Sequence, residues 1–126
     1  MSKKTVAILG ASADRSKFSN KAVRAYVQQG WDVYPVNPKG GTIEGLKVFT
    51  SLEEIPVKLD RVTVYLPPPV AVQALGSIAK VKPAELFINP GAESDDLEAK
   101  ARQLGLDPLL VCSIVDLGVS PAQFPS

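Results

Sequence analysis

The chain has 126 residues, the usual size of one compact domain with one core. Hydrophobic residues make up 45% and charged residues 21%, which sets aside disorder and fibrous classes, and a net charge of +1 sets aside general nucleic-acid binding. The chain has no histidine and one cysteine, Cys112, which removes Ser-His-Asp and Cys-His catalysis, histidine-ligated zinc, phosphohistidine chemistry and an internal disulfide.

The elements follow in chain order. Met1 to Lys4 leads directly into a strand with no signal-peptide core, and no apolar run approaches the ~20 residues of a membrane helix. The expectation is a cytoplasmic protein away from the membrane. Thr5 to Leu9 is a short β-branched run ending at Gly10, the pattern of a strand buried on both faces. Ala22, Val23, Tyr26 and Val27 then recur at helical spacing, predicting a helix over Asn20 to Gln29 that stops at Gly30. Trp31 to Val36 reads as a second strand, with Pro35 marking its end or an irregular position.

Asn37 to Leu46, punctuated by Pro38, Gly40, Gly41 and Gly45, reads as loop, followed by a short extended piece at Lys47 to Phe49 and a brief helix from Ser51. Beyond it the pattern predicts a strand over Arg61 to Leu66, a helix over Val70 to Lys80 and a strand over Glu85 to Asn89. A helix over Asp95 to Leu104 and a strand over Pro108 to Cys112 complete the order. Such alternation implies parallel strands joined by right-handed crossovers: a single-domain α/β fold, Rossmann-like and doubly wound, with three layers and a mostly parallel sheet. Ligands of such sheets bind at the carboxyl ends of the strands, near the switch point.

The loop Gly10 to Asn20 (GASADRSKFSN) is therefore the candidate phosphate site. It lacks the dinucleotide fingerprint G-x-G-x-x-G, because Ser12 and Arg15 stand where glycines should. It offers instead the hydroxyls of Ser12, Ser16 and Ser19 and the cations Arg15 and Lys17; read plainly, these are also ordinary loop and cap residues. After the second strand an NAD site normally carries a carboxylate for the ribose hydroxyls, whereas here stand Asn37, Pro38 and Lys39. A neutral and a cationic side chain favour a ribose bearing a phosphate, as in coenzyme A or NADP, unless Lys39 is only a solvated loop lysine. Leu66 to Val70 (LPPPV) removes three N–H donors in a row. It presents a flat apolar wall suited to an adenine face, or equally a rigid connection with proline in a first helical turn.

The ordered set GAS, VNPKG, VYLPPP, INPGAES and a late cysteine resembles the CoA-binding domain family. It is similar both to the stand-alone small CoA-binding proteins and to the amino-terminal domain of the succinyl-CoA synthetase alpha subunit, over nearly the whole chain. The resemblance implies that the loop from Gly10, Ala11 and Ser12 through Lys17 and Ser19 holds the phosphates of coenzyme A. It implies that Lys39, beside Asn37, contacts the ligand, and that Leu66, Pro67 and Pro68 border its adenine end. Two departures stand out. The histidine-bearing second domain of the synthetase is missing, so ligase chemistry does not carry over, and the arginine that many stand-alone relatives have in the segment matching Leu66 to Val70 is absent.

The leading expectation is a module that binds coenzyme A or an acyl-CoA without catalysis of its own and without a nucleic-acid or membrane partner; a protein partner is left open. The alternatives are an NADP-dependent oxidoreductase, for which neither Tyr65 nor Lys80 stands out as a proton donor, and a regulatory domain that has lost its ligand. Cys112 suggests a mixed disulfide with the coenzyme A thiol, against the plainer reading of a buried cysteine among apolar neighbours. Asp14, Glu93 and Asp116 show no pairing, and no carboxylate cluster has the spacing of metal ligands.

Overall fold

The structure, a computed structural model, describes residues 3–126; the first part of the Met1 to Lys4 lead-in lies outside them. Strand β1 (Thr5–Leu9) is buried along almost its whole length, as its β-branched run requires of a central strand. It pairs in parallel with β2 (Asp32–Val36) on one side and with β5 (Arg61–Val64) on the other. Strands β6 (Glu85–Ile88) and β7 (Pro108–Leu110) extend the sheet, giving five parallel strands in the order β2-β1-β5-β6-β7. The chain thus winds outward in one direction from β1 and then in the other, and the switch point lies between β1 and β5.

Helices α1 (Phe18–Gln28) and α4 (Ser113–Asp116) pack on one face around Val6, Ile8, Val23, Tyr26 and Ile114. Helices α2 (Pro68–Val81) and α3 (Asp95–Gln103) pack on the other around Val62, Val64, Leu75, Ile78 and Leu97. This is the three-layer, doubly wound α/β architecture expected of the sequence. Each fully buried Leu or Ile in these two cores contributes roughly 1.5–3 kcal/mol by leaving water. Among the described residues no helix is long and apolar enough to cross a membrane, and no group of three or more potential ligands is placed to hold a metal ion.

Differences from the expected boundaries have local causes. Pro35 sits inside β2 because β2 is an edge strand: the Pro35 carbonyl accepts from Phe49 N at 2.9 Å, so the missing N–H would have faced the outer edge rather than β1. Helix α2 starts at Pro68 rather than Val70, since prolines in a first turn lack only N–H groups that would have no helical partner. Helix α1 starts two residues early, at Phe18, and its cap Lys17 makes no side-chain capping bond. The loop after β2 contains a small hairpin, β3 (Thr42–Ile43) and β4 (Leu46–Lys47), turning through Glu44 and Gly45 at φ 50° and 78°. The brief helix after Ser51 is a 3-10 turn, Leu52–Glu54. The last strand ends at Leu110, so Cys112 is not in it but caps α4.

Candidate functional site

The crevice at the carboxyl end of the sheet is organised around Gly10. Its φ is +90°, and a Cβ there would lie 2.7 Å from the Tyr65 carbonyl oxygen and 2.9 Å from Leu66 Cδ2. Only glycine lets the loop after β1 pass so close to the chain leaving β5. The amides of Gly10 and Ala11 both donate to the Val36 carbonyl, each at 3.1 Å. Those two N–H groups are therefore engaged within the protein, and Ala11, fully buried, acts from beneath the site rather than on its surface.

Asn37 completes the junction between the first two loops. Its Nδ2 donates to the Ala11 carbonyl at 2.8 Å and its Oδ1 accepts from the Lys39 amide at 2.8 Å. The side chain thereby fixes the turn that carries Lys39. Ser12, Asn37 and Lys39 line one cleft of about 260 Å³ together with Asp14 and Thr42. Ser12 Oγ accepts from the Asp14 amide at 3.1 Å, which leaves its proton free to donate into the cleft. Asp14 is turned back on Ser16, accepting from its hydroxyl at 2.6 Å and its amide at 3.0 Å, and these bonds hold its carboxyl below the ordinary 3.8. It is ionised at neutral pH and opposes part of the Lys39 charge. Arg15 lies 3.5 Å from a Glu44 carboxylate oxygen, whereas Lys17 and Lys39 form no ion pair among the described residues.

Lys17 and Ser19 belong to a second cleft, of about 410 Å³, with Phe18, Tyr65, Leu66, Pro67 and Pro68. Its far wall is Pro90, Gly91 and Ala92, from the loop after β6. The two helix ends on this cleft differ in kind. The first turn of α1 has no acidic residue, and its first amides have no partner within the helix. The start of α2 is proline at the cap and at the first two helical positions, so it offers an apolar surface with almost no donors. A third cleft of about 270 Å³ lies on the other side of Leu66, lined mainly by apolar groups including Gly10, Val36, Pro38 and Val70.

The structure thus places every expected site residue at the carboxyl edge, but not in one pocket. Ser12, Asn37 and Lys39 share one cleft and Lys17, Ser19, Leu66, Pro67 and Pro68 another, while Gly10 lines the third and Ala11 is buried beneath the loop. Sequence reasoning missed Phe18, Tyr65 and the Pro90–Ala92 wall, although the last follows β6, the strand beside β5. Cys112 is only partly buried and opens with Tyr65 on a small recess of about 120 Å³ adjoining the second cleft. Asn89 holds this corner in place: it donates to Thr63 Oγ1 and the Val64 carbonyl at 2.6 and 2.9 Å and accepts from the Ser113 amide at 2.8 Å.

Known structures share this fold. A conserved hypothetical protein from Pyrococcus furiosus superposes with a TM-score of 0.80 at 29% identity, covering 91% of this chain and 99% of that one. A hypothetical protein from Pyrococcus horikoshii gives 0.82 at 25% identity, over 90% and 80% of the two chains. Among curated proteins, the alpha subunit of ADP-forming acetate–CoA ligase I from Pyrococcus furiosus is 36% identical over 78 residues, 57% of this chain and 17% of that subunit. The chain spans only that small part of its relative's length. Residues 4–118 match the family model described as a CoA binding domain, and with nearly the whole chain matched, the protein belongs to the CoA-binding domain family.

Proposed function

We propose that the carboxyl-edge crevice binds coenzyme A or its thioesters, and that the chain performs no catalysis of its own. One observation carries the reading: the edge sets the cations and hydroxyls of Ser12, Lys39, Lys17 and Ser19 beside uncharged apolar surfaces at Pro38, Leu66, Pro67 and Pro68. Lys39 and Ser12 suit the phosphorylated ribose, and Lys17, Ser19 and the N-terminal end of α1 suit the pyrophosphate. The apolar cleft beside Pro38 and Leu66 suits adenine. Pro67 and Pro68 then serve the uncharged pantetheine arm rather than the adenine, because they line the cleft away from Lys39. The relation to an acetate–CoA ligase subunit supports the same ligand.

Thermal denaturation with coenzyme A, NADP and NAD at equal concentrations tests the assignment. A ligand at a hundred times its Kd stabilises the native state by about 2.7 kcal/mol, so coenzyme A should raise the Tm clearly and the dinucleotides little. Equal shifts with all three would reject it. Native mass spectrometry of freshly purified protein gives an independent reading, since a co-purifying mass identifies the bound species.

A further inference from the structure

The recess beside the second cleft differs from the rest of the crevice. Phe18, Tyr65, Asn89, Pro90, Cys112 and Ile114 enclose about 120 Å³. It shares Phe18, Tyr65 and Pro90 with the cleft that passes Pro67 and Pro68, and it lies on the side of that cleft away from Lys39. Its lining is mostly apolar, and Asn89 spends both ends of its amide on Thr63, Val64 and Ser113. Tyr65 is the exception. Its hydroxyl is buried and is the one buried side-chain polar atom among the described residues that makes no hydrogen bond of normal length, although the Thr63 side chain stands close enough to ease its ionisation slightly. A hydroxyl cut off from water and without a well-formed protein bond is destabilised, so a ligand acceptor reaching it recovers an interaction that the free protein makes poorly. Burial also pushes the phenol far above its ordinary ionisation range, which keeps it a donor at neutral pH.

We propose that this recess receives a short acyl group carried on the coenzyme A sulfur, with the Tyr65 hydroxyl donating to the thioester carbonyl oxygen. The inference rests on the coenzyme A reading of the crevice and adds a substrate class to it. At ~30 Å³ for each water-sized group, the recess has room for about four non-hydrogen atoms, which fits acyl groups of two or three carbons with their carbonyl oxygen. A longer chain meets Ile114, fully buried in the core beneath.

The experiment measures dissociation constants for free coenzyme A, acetyl-, butyryl- and octanoyl-coenzyme A on the wild type, on Tyr65→Phe and on Ile114→Val, with circular dichroism confirming the fold of each. Each thioester is read as a ratio to free coenzyme A on the same protein, which cancels any loss common to both. The wild type should prefer acetyl-coenzyme A about 3- to 10-fold, the range of one recovered hydrogen bond, and should show that preference less for butyryl and not at all for octanoyl. Tyr65→Phe should bring the acetyl ratio to about one, and Ile114→Val should shift the preference toward butyryl. Ratios near one throughout the wild type, or a preference that survives in Tyr65→Phe, would overturn the recess while leaving the crevice assignment intact. Failure of every species, free coenzyme A included, would overturn both.

Discussion

The Asn37 side chain donates to the Ala11 carbonyl across 2.8 Å, joining the loop after β1 to the loop after β2. Both ends of this amide are used, the other holding the Lys39 amide, so Asn37 positions the cation from the wall of the cleft they share. Asn37→Ala should therefore weaken coenzyme A through misplacement of Lys39, and cost about 1 kcal/mol of stability for the bonds lost at this half-buried position. Calorimetric titration alongside urea unfolding checks both. Asn37→Asp, which keeps the acceptor for Lys39 and loses the donor to Ala11, should bind more weakly still because it adds a negative charge beside Asp14.

Lys39 itself gives a cleaner test. Lys39→Ala should lower coenzyme A affinity about 5- to 10-fold at low salt, in keeping with a charge-assisted but exposed contact. The wild type should bind dephospho-coenzyme A more weakly than coenzyme A, while the variant should bind the two alike, because the lysine and the phosphate are two halves of one interaction. Additive losses would leave Lys39 a solvated loop residue.

Gly10→Ala is expected to destabilise the fold and not only the site. The new methyl group would meet backbone at 2.7 Å, which cannot swing aside as a flexible side chain would, and the +90° φ is strained for any other residue. Strain and clash together amount to about 3 kcal/mol, which lowers the Tm by roughly 10 °C in a domain of this size. A variant that melts like the wild type would show that the loops separate readily at this crossing.

Arg61 closes the opposite end of β5. It is buried, stacks 4.1 Å from the Phe87 ring centroid and 4.8 Å from that of Trp31, and bonds Glu85 at 2.9 Å and the Tyr26 hydroxyl at 3.2 Å. Asp116 of α4 lies 3.3 Å away. Arg61→Met keeps the apolar stem and removes the charge. Because both carboxylates retain substantial contact with solvent, they rehydrate, and the loss should be about 2 kcal/mol rather than the 3–5 kcal/mol of stranding a fully buried partner. Urea unfolding measures it. Arg61→Lys should rescue little, since an ammonium cannot stack between two rings and fork to three partners.

Much of this molecule was legible as pattern. The runs at Thr5, Arg61 and Glu85 are too apolar to be half-exposed strands, and their alternation with helical spacing leaves a doubly wound sheet as the consistent reading. The position of the candidate crevice followed, because such a sheet opens at its carboxyl ends. What escaped depends on contacts distant in sequence. Helix α4 is four residues long and carries no periodicity; it is held by Asn89, 24 positions away from Ser113. The β3–β4 turn uses Glu44 at positive φ, which its residue type does not advertise. The division of the loop after β1 between two clefts, and the poor pairing of the Tyr65 hydroxyl, arise only when the loops after β1, β2, β5 and β6 are brought together.

The sheet ends at β7, a strand of three residues beginning with Pro108, and its Leu109 and Leu110 are exposed. An apolar outer strand invites neighbouring molecules to add to it and seed fibrous assemblies. Brevity and proline both work against that, since few peptide groups are available for an intruding strand to grip. The other border, at β2, is already covered by the Phe49 segment, which takes the Pro35 carbonyl and supplies an acceptor to the Asn37 amide. The two borders are thus shielded by different means, truncation on one side and a covering segment on the other, and a substitution that lengthened β7 or replaced Pro108 would expose the protein to aggregation without touching its ligand crevice.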